Sequence, residues 1–349
     1  MGKYSRIGGQ AVLEGVMMRA PERMAIAVRT LGGEIAMSTK ELLKPGQQKP
    51  WYRKTPFVRG VVSFVDMLTV GIESLNTSAA LMGIEEEPGK FEKWISKKTG
   101  KSAMDIATGF ALVLGIGLAV GLFFILPQVV SGLLTNLVNN AFLMNLIEGG
   151  FRLIIFVLYL WGVSLMPDIK RFFAYHGAEH KVVNCYESGE MLTAENAQKF
   201  TTRHPRCGTS FLLIVMVMSV LVFALTGWSG PWYVRLPVRL ALLPVVAAAS
   251  FETLMLLAKL DNRFVRAIRA PGMALQAMTT REPDDKMVEV AIAAFAACLD
   301  EEERAKCVPP ETVVHEEPAE EMPPAFCETL NEQAEESVEG GRQEDGGEQ

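Results

Sequence analysis

Residues 106–126 read IATGFALVLGIGLAVGLFFIL and contain no charged side chain. An uncharged hydrophobic run of about 20 residues is what a helix needs to cross the hydrocarbon core of a bilayer. Pro127 follows at once, and a proline at this point is expected to end the helix. Gly117 and Gly121 have the small-xxx-small spacing that lets two membrane helices approach closely. The stretch therefore predicts a protein that spans a membrane.

Three further apolar runs follow, at 142–166, 211–226 and 236–258. With the first run they predict a mainly α, multi-pass membrane protein with about four transmembrane helices. Lys and Arg are concentrated before the first run, between the second and third, and after the fourth, whereas the other two connections hold only Arg235. By the positive-inside rule, both termini and the connection 167–210 are expected in the cytoplasm, with the protein in the inner (cytoplasmic) cell membrane.

The first 102 residues are predicted to form a small cytoplasmic α+β cap. Gly32-Gly33 lies between two short apolar segments, 24–31 and 34–39, and this pattern is a hairpin signal. Residues 57–83 are apolar on one side and interrupted by acidic residues. They predict an amphipathic helix that packs on the body of the protein or lies on the bilayer surface.

Glycines flank Glu14 in the stretch GGQAVLEG, residues 8–15. Because glycine lets the backbone approach a ligand closely, this segment could aim Glu14 at a ligand. A turn-rich strand with a solvated glutamate is the alternative interpretation.

Charge is distributed unevenly over a chain whose net charge is −6. Residues 300–349 carry 17 acidic and 3 basic side chains, and residues 1–299 carry 23 acidic and 31 basic ones. The acidic tail is predicted to be disordered and could recruit a protein partner. The basic body suits an anionic lipid bilayer, and nothing in the sequence supports nucleic-acid binding. Between cap and tail, residues 103–299 form the predicted membrane domain, which ends in a helix at 286–299.

The connection 167–210 contains an H-x-x-E-H motif formed by His176, Glu179 and His180. In a helix, two histidines four residues apart lie on one face and can reach one divalent metal ion. We expect zinc first, with iron or manganese as alternatives, and Glu179 as the general base or as a carboxylate that orients a metal ligand. Gly177 is unfavourable in a helix, and a non-helical segment would leave the histidines as interfacial residues.

A site with two histidines needs at least one further ligand. His204 and Cys207 are spaced i, i+3 directly before the third apolar run, and their donors suit zinc or iron. Glu252 is another candidate, because an ionisable group inside an apolar run is costly unless it meets a cation or a polar partner. In a simpler alternative, Glu252 pairs with Lys259 or Arg263.

Four strings in this order around the apolar runs resemble the bacterial YqhQ family: GGQAVLEGVMMR, AYHGAEHKVVNCYE, RHPRCGTSF and TTREPDD. This is a membrane family without an assigned role, in which a metal-dependent activity is suspected. The resemblance covers nearly everything from Arg6 to about Leu299 and excludes the acidic tail. It implies a multi-pass inner-membrane protein with a metal site at His176, Glu179 and His180, and it implies no substrate.

The leading hypothesis is a membrane-embedded, cytoplasm-facing, metal-dependent enzyme, most simply a hydrolase. The alternative is a non-enzymatic scaffold or metal-binding adaptor that acts through protein partners and holds its metal in a closed shell. A transporter using Glu148, Arg152 and Glu252 is a third hypothesis, in which the first two residues, one helical turn apart, are expected to pair. The absence of a visible internal repeat argues against a transporter.

Overall fold

An N-terminal antiparallel sheet precedes a series of helices in the computed structural model, which describes residues 5–42, 51–53, 55–83, 103–134, 136–205, 207–225, 232–260 and 262–309. The strands are β1 (Gly8–Val12), β2 (Gly15–Arg19), β3 (Arg23–Arg29) and β4 (Ile35–Glu41). The helices are α1 (Val58–Leu81), α2 (Ala103–Val120), α3 (Leu126–Gly132), α4 (Ala141–Val163), α5 (Pro167–Ser188), α6 (Ala194–Gln198), α7 (Gly208–Ala224), α8 (Trp232–Ala241), α9 (Leu243–Lys259), α10 (Arg263–Thr279), α11 (Asp285–Ala297) and α12 (Glu301–Cys307). The prediction of a mainly α protein with a small N-terminal sheet is confirmed.

The sheet is a meander in which each strand pairs antiparallel with the next along the chain. In the β3–β4 hairpin, Arg29 lies opposite Ile35 beside the turn. Gly33 in that turn has a φ of 87°, a conformation that glycine adopts without steric cost. The hairpin predicted around Gly32-Gly33 is therefore confirmed.

Both faces of the sheet are covered, so alternate residues of its strands point into two different cores. On one face, Met17 and Ile26 belong to a core that includes Val70 and Leu81 of α1. Helix α1 also packs on α9, where a Cβ added at Gly60 would lie 2.8 Å from the Cα of Ala248. The amphipathic helix predicted at 57–83 is thus observed, packed on the body of the protein.

The second core is built around α11, which is buried along its length from Val290 to Ala297. Five of these eight residues are alanine, so α5, β2 and β3 can all approach the helix closely. This core joins strands from the first 102 residues with the helix that carries the histidine motif and the helix predicted at 286–299. The sheet and the motif are therefore parts of one packed unit.

The described residues contain two helices that are long and apolar enough to cross a membrane, or three if one bent pair counts as a single span. The two are Gly109–Gly132 and Ala141–Val163. The first includes a π-helical turn at Gly121–Ile125 and continues past Pro127, so the predicted end of the helix at this proline is wrong. The bent pair, α8 and α9, changes direction by 42° at a break beside Pro244. The third predicted span is a shorter apolar helix, Phe211–Ala224.

A buried group of charges connects these apolar helices. Glu148 accepts a hydrogen bond from Arg152 at 2.8 Å and another from Arg239 of α8. Arg152 also donates through Nε to the carbonyl of Phe123 in the π-helical turn at 2.8 Å. The predicted Glu148–Arg152 pair is confirmed. Arg239 also contacts Glu148, and the sequence did not predict this because the two residues lie far apart along the chain.

The predicted acidic tail begins with a short helix. Residues 301–307 form α12, whose end contacts the body through a 2.7 Å hydrogen bond from the Leu192 amide to the Cys307 carbonyl. The prediction of disorder from residue 300 is therefore wrong for this segment, since it has a backbone partner in the body. The rest of the predicted tail, from residue 310, lies outside the described residues.

Candidate metal centre

The H-x-x-E-H motif lies within α5, a continuous helix of 22 residues. The helix starts at Pro167, whose fixed φ suits a first helical position, and ends at Gly189 with a φ of 83°. His176 and His180 consequently lie on one face, with their ring centroids 4.5 Å apart. The condition on which the sequence argument depended, a helical segment, is met.

Gly177 remains helical because its missing side chain makes room for another segment. A Cβ at this position would lie 2.0 Å from the carbonyl oxygen of Arg281. The Arg281 amide in turn donates to the Phe173 carbonyl of α5 at 2.9 Å. Glycine therefore allows the TTREPDD segment to pack directly against the motif.

Three potential ligand atoms converge at this face of α5. His176, His180 and Cys207 each offer one atom, and these atoms all lie within 4.8 Å of one another. The His176 Nε2 to Cys207 Sγ distance is 3.2 Å. Two imidazoles and a thiolate are a donor set that zinc takes readily, and catalytic zinc sites commonly have three protein ligands.

Each histidine is oriented by a backbone carbonyl. His176 donates through Nδ1 to the Thr279 carbonyl at 2.8 Å, and His180 donates through Nδ1 to the Thr202 carbonyl at 2.6 Å. These bonds fix the tautomer that leaves Nε2 with its lone pair, as second-shell partners of metal-bound histidines do. The buried His180 Nε2 has no hydrogen-bond partner among the described residues. Burial also lowers the pKa of His180 to about 3, so the ring is neutral, which is the form that binds metal.

Glu179 extends from α5 toward strand β1. Its Oε1 accepts a 3.0 Å hydrogen bond from the Gly9 amide, while Oε2 is buried and has no partner within the described part of the chain. Burial raises the pKa of Glu179 to about 7, a shift that neighbouring His176 reduces and Cys207 reinforces. A carboxyl group that titrates near neutral pH suits a general acid or base.

Gly9 lets the sheet reach this carboxyl group. A Cβ at Gly9 would lie 2.3 Å from the Met17 carbonyl oxygen and 3.3 Å from Glu179 Cδ. The glycines of residues 8–15 therefore do permit a close approach, but the group approached is Glu179, and Glu14 lies elsewhere.

Glu14 stands at the β1–β2 turn, with a φ of 50°. Its carboxylate pairs with Arg171 and accepts a 3.3 Å hydrogen bond from the Tyr175 hydroxyl. Glu14 thereby links the sheet to α5. These contacts occupy its carboxylate, which the sequence had suggested could face a bound ligand.

His204 lies beside the three-ligand group but outside it. Its ring centroid is 5.9 Å from that of His180, and its Nε2 is 3.4 Å from Glu187 Oε2. The side chain of the buried Gln276 exchanges two 2.9 Å hydrogen bonds with the His204 backbone and fixes its position. Burial lowers the pKa of His204 to about 4, so this ring is also neutral.

Glu252 is not part of the centre. Its carboxylate forms a two-point ion pair with Arg59, with N–O distances of 2.5 and 2.8 Å, and accepts a bond from the Phe57 amide at 3.2 Å. A pairing with Lys259 or Arg263 stays a prediction, whereas the assignment of Glu252 as a metal ligand is corrected. The reason is the packing of α1 on α9, which brings Arg59 to the glutamate.

Two residues that sequence reasoning missed hold the segment that orients His180. The buried Lys181 donates to the carbonyls of Gln198 and Phe200 at 3.0 and 2.9 Å. Asn184 donates to the carbonyls of Thr201 and Arg203 at 2.9 and 3.1 Å. The available signal was a lysine and an asparagine, separated by two valines, on the helix that carries the motif. Their backbone partners cannot be read from the sequence.

A cavity of about 530 Å³ opens beside the centre. Its lining includes Glu179, His180, His204 and Cys207 together with residues of β1, β2 and α1. Pockets of this size accommodate small-molecule ligands. A molecule in the cavity would therefore be next to the candidate metal ligands.

Apolar helices of spanning length, joined to a partly buried group of two histidines and a cysteine, define a membrane-associated protein with a candidate metal centre. The chain belongs to the family described as protein of unknown function (DUF1385), whose model matches residues 55–301. It is 35% identical over 293 residues to the uncharacterized protein YqhQ of Bacillus subtilis (strain 168), an alignment that covers 84% of this chain and 92% of that protein. The resemblance to the YqhQ family is confirmed. No solved structure matches the chain.

Proposed function

We propose that the protein is a membrane-embedded, cytoplasm-facing, metal-dependent hydrolase. The observation that carries the proposal is the convergence of one ligand atom each from His176, His180 and Cys207 within 4.8 Å. Both histidines are already oriented by carbonyls, and a buried imidazole nitrogen without a partner is costly unless something binds it. The donor set favours zinc, with iron or manganese as the alternatives.

The roles of the chain's own residues follow from their positions. His176, His180 and Cys207 would hold the metal, leaving a coordination position for water or substrate. A metal bound there would supply Lewis acidity and lower the pKa of a water molecule. The Gly9 amide holds Glu179 through Oε1, and Oε2 has no partner among the described residues. Glu179 would accept the proton of this water molecule and return it.

We further propose that the protein crosses the membrane up to four times, with both termini and the metal centre on the cytoplasmic side. The alternation of basic and uncharged connections supports this orientation. The centre itself is assembled from α5 and from Cys207, which precedes the apolar helix α7 directly. A substrate would then meet the site close to the membrane surface.

Metal analysis tests the proposal. Detergent-purified wild-type protein should contain near-stoichiometric zinc, iron or manganese, and the His176→Ala/His180→Ala variant should lose it. Cys207→Ser should lower the metal content, whereas Cys185→Ser, a buried cysteine of the same helix as the histidines, is the matched control and should not. Equal trace metal in wild type and the double variant would contradict a metal centre.

A non-enzymatic, metal-binding adaptor is the second candidate, and the position of His204 favours it. With a ring only 5.9 Å from that of His180, a small shift would make His204 a fourth ligand and close the shell. X-ray absorption spectroscopy of the metal-loaded protein distinguishes the two functions. Four protein donors and no water would support the adaptor, and three protein donors with an oxygen from solvent would support the hydrolase.

A further inference from the structure

The cavity beside the metal centre has an unusual charge. Three arginines, Arg6, Arg19 and Arg53, lie in its wall, against two acidic residues, Asp66 and Glu179. The wall is therefore net cationic even when Glu179 is ionised, and a divalent ion bound at the centre would add to the positive potential. An anion entering the cavity is favoured by this field.

Two of the three arginines are not paired with an acidic side chain of the described residues. Arg53 forms an ion pair with Asp66 at 2.8 Å and is thereby neutralised. Neither Arg6 nor Arg19 makes a side-chain hydrogen bond or ion pair with any residue in the described ranges. Arginine side chains in this state, in a concave wall, match phosphate and carboxylate groups through two parallel hydrogen bonds.

Strand pairing brings these arginines to the motif. Arg19 lies opposite Gly8 in the β1–β2 register, next to the Gly9 amide that binds Glu179. A Cβ added at Gly8 would meet no atom within 4 Å, so the space above this part of the strand is open. The same strand pair therefore carries a cation and a contact to the proposed proton acceptor.

Another part of the lining is apolar, with Met67 and Val70 of α1 bordering the cavity. Cationic and apolar walls together suit a molecule with a charged end and an apolar portion.

We propose that this cavity binds the substrate of the proposed hydrolase through a phosphate-type anionic group held by Arg6 and Arg19. The inference rests on the proposed function for the identity of the site as catalytic. The group could belong to a soluble phosphate compound or to a phospholipid headgroup, and the chemistry of recognition is the same.

The test measures anion binding and not turnover. Detergent-solubilised, metal-loaded protein is titrated calorimetrically with inorganic phosphate and, in a second arm, with short-chain phosphatidic acid, using short-chain phosphatidylcholine as its control. The Arg6→Gln/Arg19→Gln variant is compared with wild type and with Arg304→Gln, an arginine of α12 that does not line the cavity. Metal content is determined in every preparation.

We expect the Kd for at least one phosphate probe to rise about tenfold or more in the double variant and to stay unchanged in Arg304→Gln, since a charge-assisted hydrogen bond is worth about this much. Binding of free phosphate alone identifies a soluble compound, and preference for phosphatidic acid identifies a lipid. No binding to wild type, or equal affinities in the double variant and the control, overturns the inference. Metal content is measured separately, so the two proposals can fail independently. Arginine-dependent anion binding by a protein that contains no metal would contradict only the proposed hydrolase. A metal-containing protein without arginine-dependent anion binding would contradict only the anion site.

Discussion

At the scale of single residues, Glu179 has two unequal oxygens. One accepts the Gly9 amide bond at 3.0 Å, and the other is buried without a partner among described residues. Glutamine has the same shape and can still accept from Gly9, but it cannot take up a proton. We therefore expect Glu179→Gln to fold, to keep its metal and to lose hydrolase activity, by a factor of about 100 or more.

Metal content and activity are measured on the same preparation of this variant, with Glu195→Gln, at an exposed position of α6, as the control for an unrelated carboxylate. If metal content also collapses in Glu179→Gln, the residue is a ligand and the assignment of a general base is wrong.

Gly177 is the residue at which packing against the centre is tightest. A Cβ there would lie 2.0 Å from a backbone oxygen, that of Arg281, which cannot move without shifting the segment that orients His176. We expect Gly177→Ala to lower the free energy of unfolding by about 2–4 kcal/mol and to weaken metal binding. Thermal unfolding and metal titration measure the two effects.

The matched control for this variant is Gly150→Ala in α4, where an added Cβ meets nothing within 4 Å. Alanine there should be neutral or slightly stabilising, since it favours a helix more than glycine does. Similar losses of stability at both positions would mean that the close contact with Arg281 is not what makes Gly177 necessary.

At the scale of elements, the packing of α5 and α11 determines which thiols can react. Cys298, just after α11, donates to the Met18 carbonyl at 3.3 Å, and burial raises its pKa to about 11. Burial also raises the pKa of Cys185 to about 11, whereas Cys307 is partly exposed. At pH 8 only about one in a thousand thiols of pKa 11 is ionised, and the thiolate is the nucleophile.

We therefore expect iodoacetamide at pH 8 to modify Cys307 and to leave Cys185 and Cys298 intact, as peptide mass spectrometry would show. The pKa of Cys298 in the folded protein lies above its unfolded value near 9, so the folded state holds the thiol proton more tightly than the unfolded state does. The folded protein therefore loses stability as pH rises from 9 to 11. Modification of Cys298 as fast as Cys307 would show that α11 does not pack on the sheet as described.

Sequence reasoning succeeded for local elements whose signals are local. The β3–β4 hairpin depends on its glycine turn, and α1 depends on a pattern within a single segment. It failed for Glu252 because the ion pair with Arg59 spans 193 residues and exists only after α1 packs on α9. For the same reason Lys181 and Gln276 were missed, since their backbone partners lie in other segments.

At the scale of the whole molecule, the candidate metal centre joins two kinds of structure. The helix that carries its histidines contributes to a core shared with the sheet and α11, and its cysteine precedes an apolar helix. Apolar length was enough to predict two spanning helices, but it did not reveal the bend between α8 and α9. Arg239, which lies just before this bend, is a partner of the buried Glu148.

The charge cluster of the apolar helices gives the final prediction. The Glu148 side chain is 1% exposed and forms ion pairs with both Arg152 and Arg239, whose side chains are 3% and 2% exposed. Glutamine at this position would leave two buried guanidinium groups without their carboxylate, and breaking a buried pair in this way costs about 3–5 kcal/mol. We expect Glu148→Gln to lower the thermal unfolding midpoint in detergent by on the order of 10 °C.

Glu252→Gln provides the same chemical change in a more exposed pair, because Glu252 and Arg59 have side chains that are 23% and 29% exposed. Ion pairs in contact with solvent contribute about 1 kcal/mol or less, so this variant should unfold within a few degrees of wild type. The comparison separates burial from the mere presence of an ion pair. Equal shifts in the two variants would mean that Glu148 does not hold α4 to α8, and that the apolar helices are joined by their side-chain packing alone.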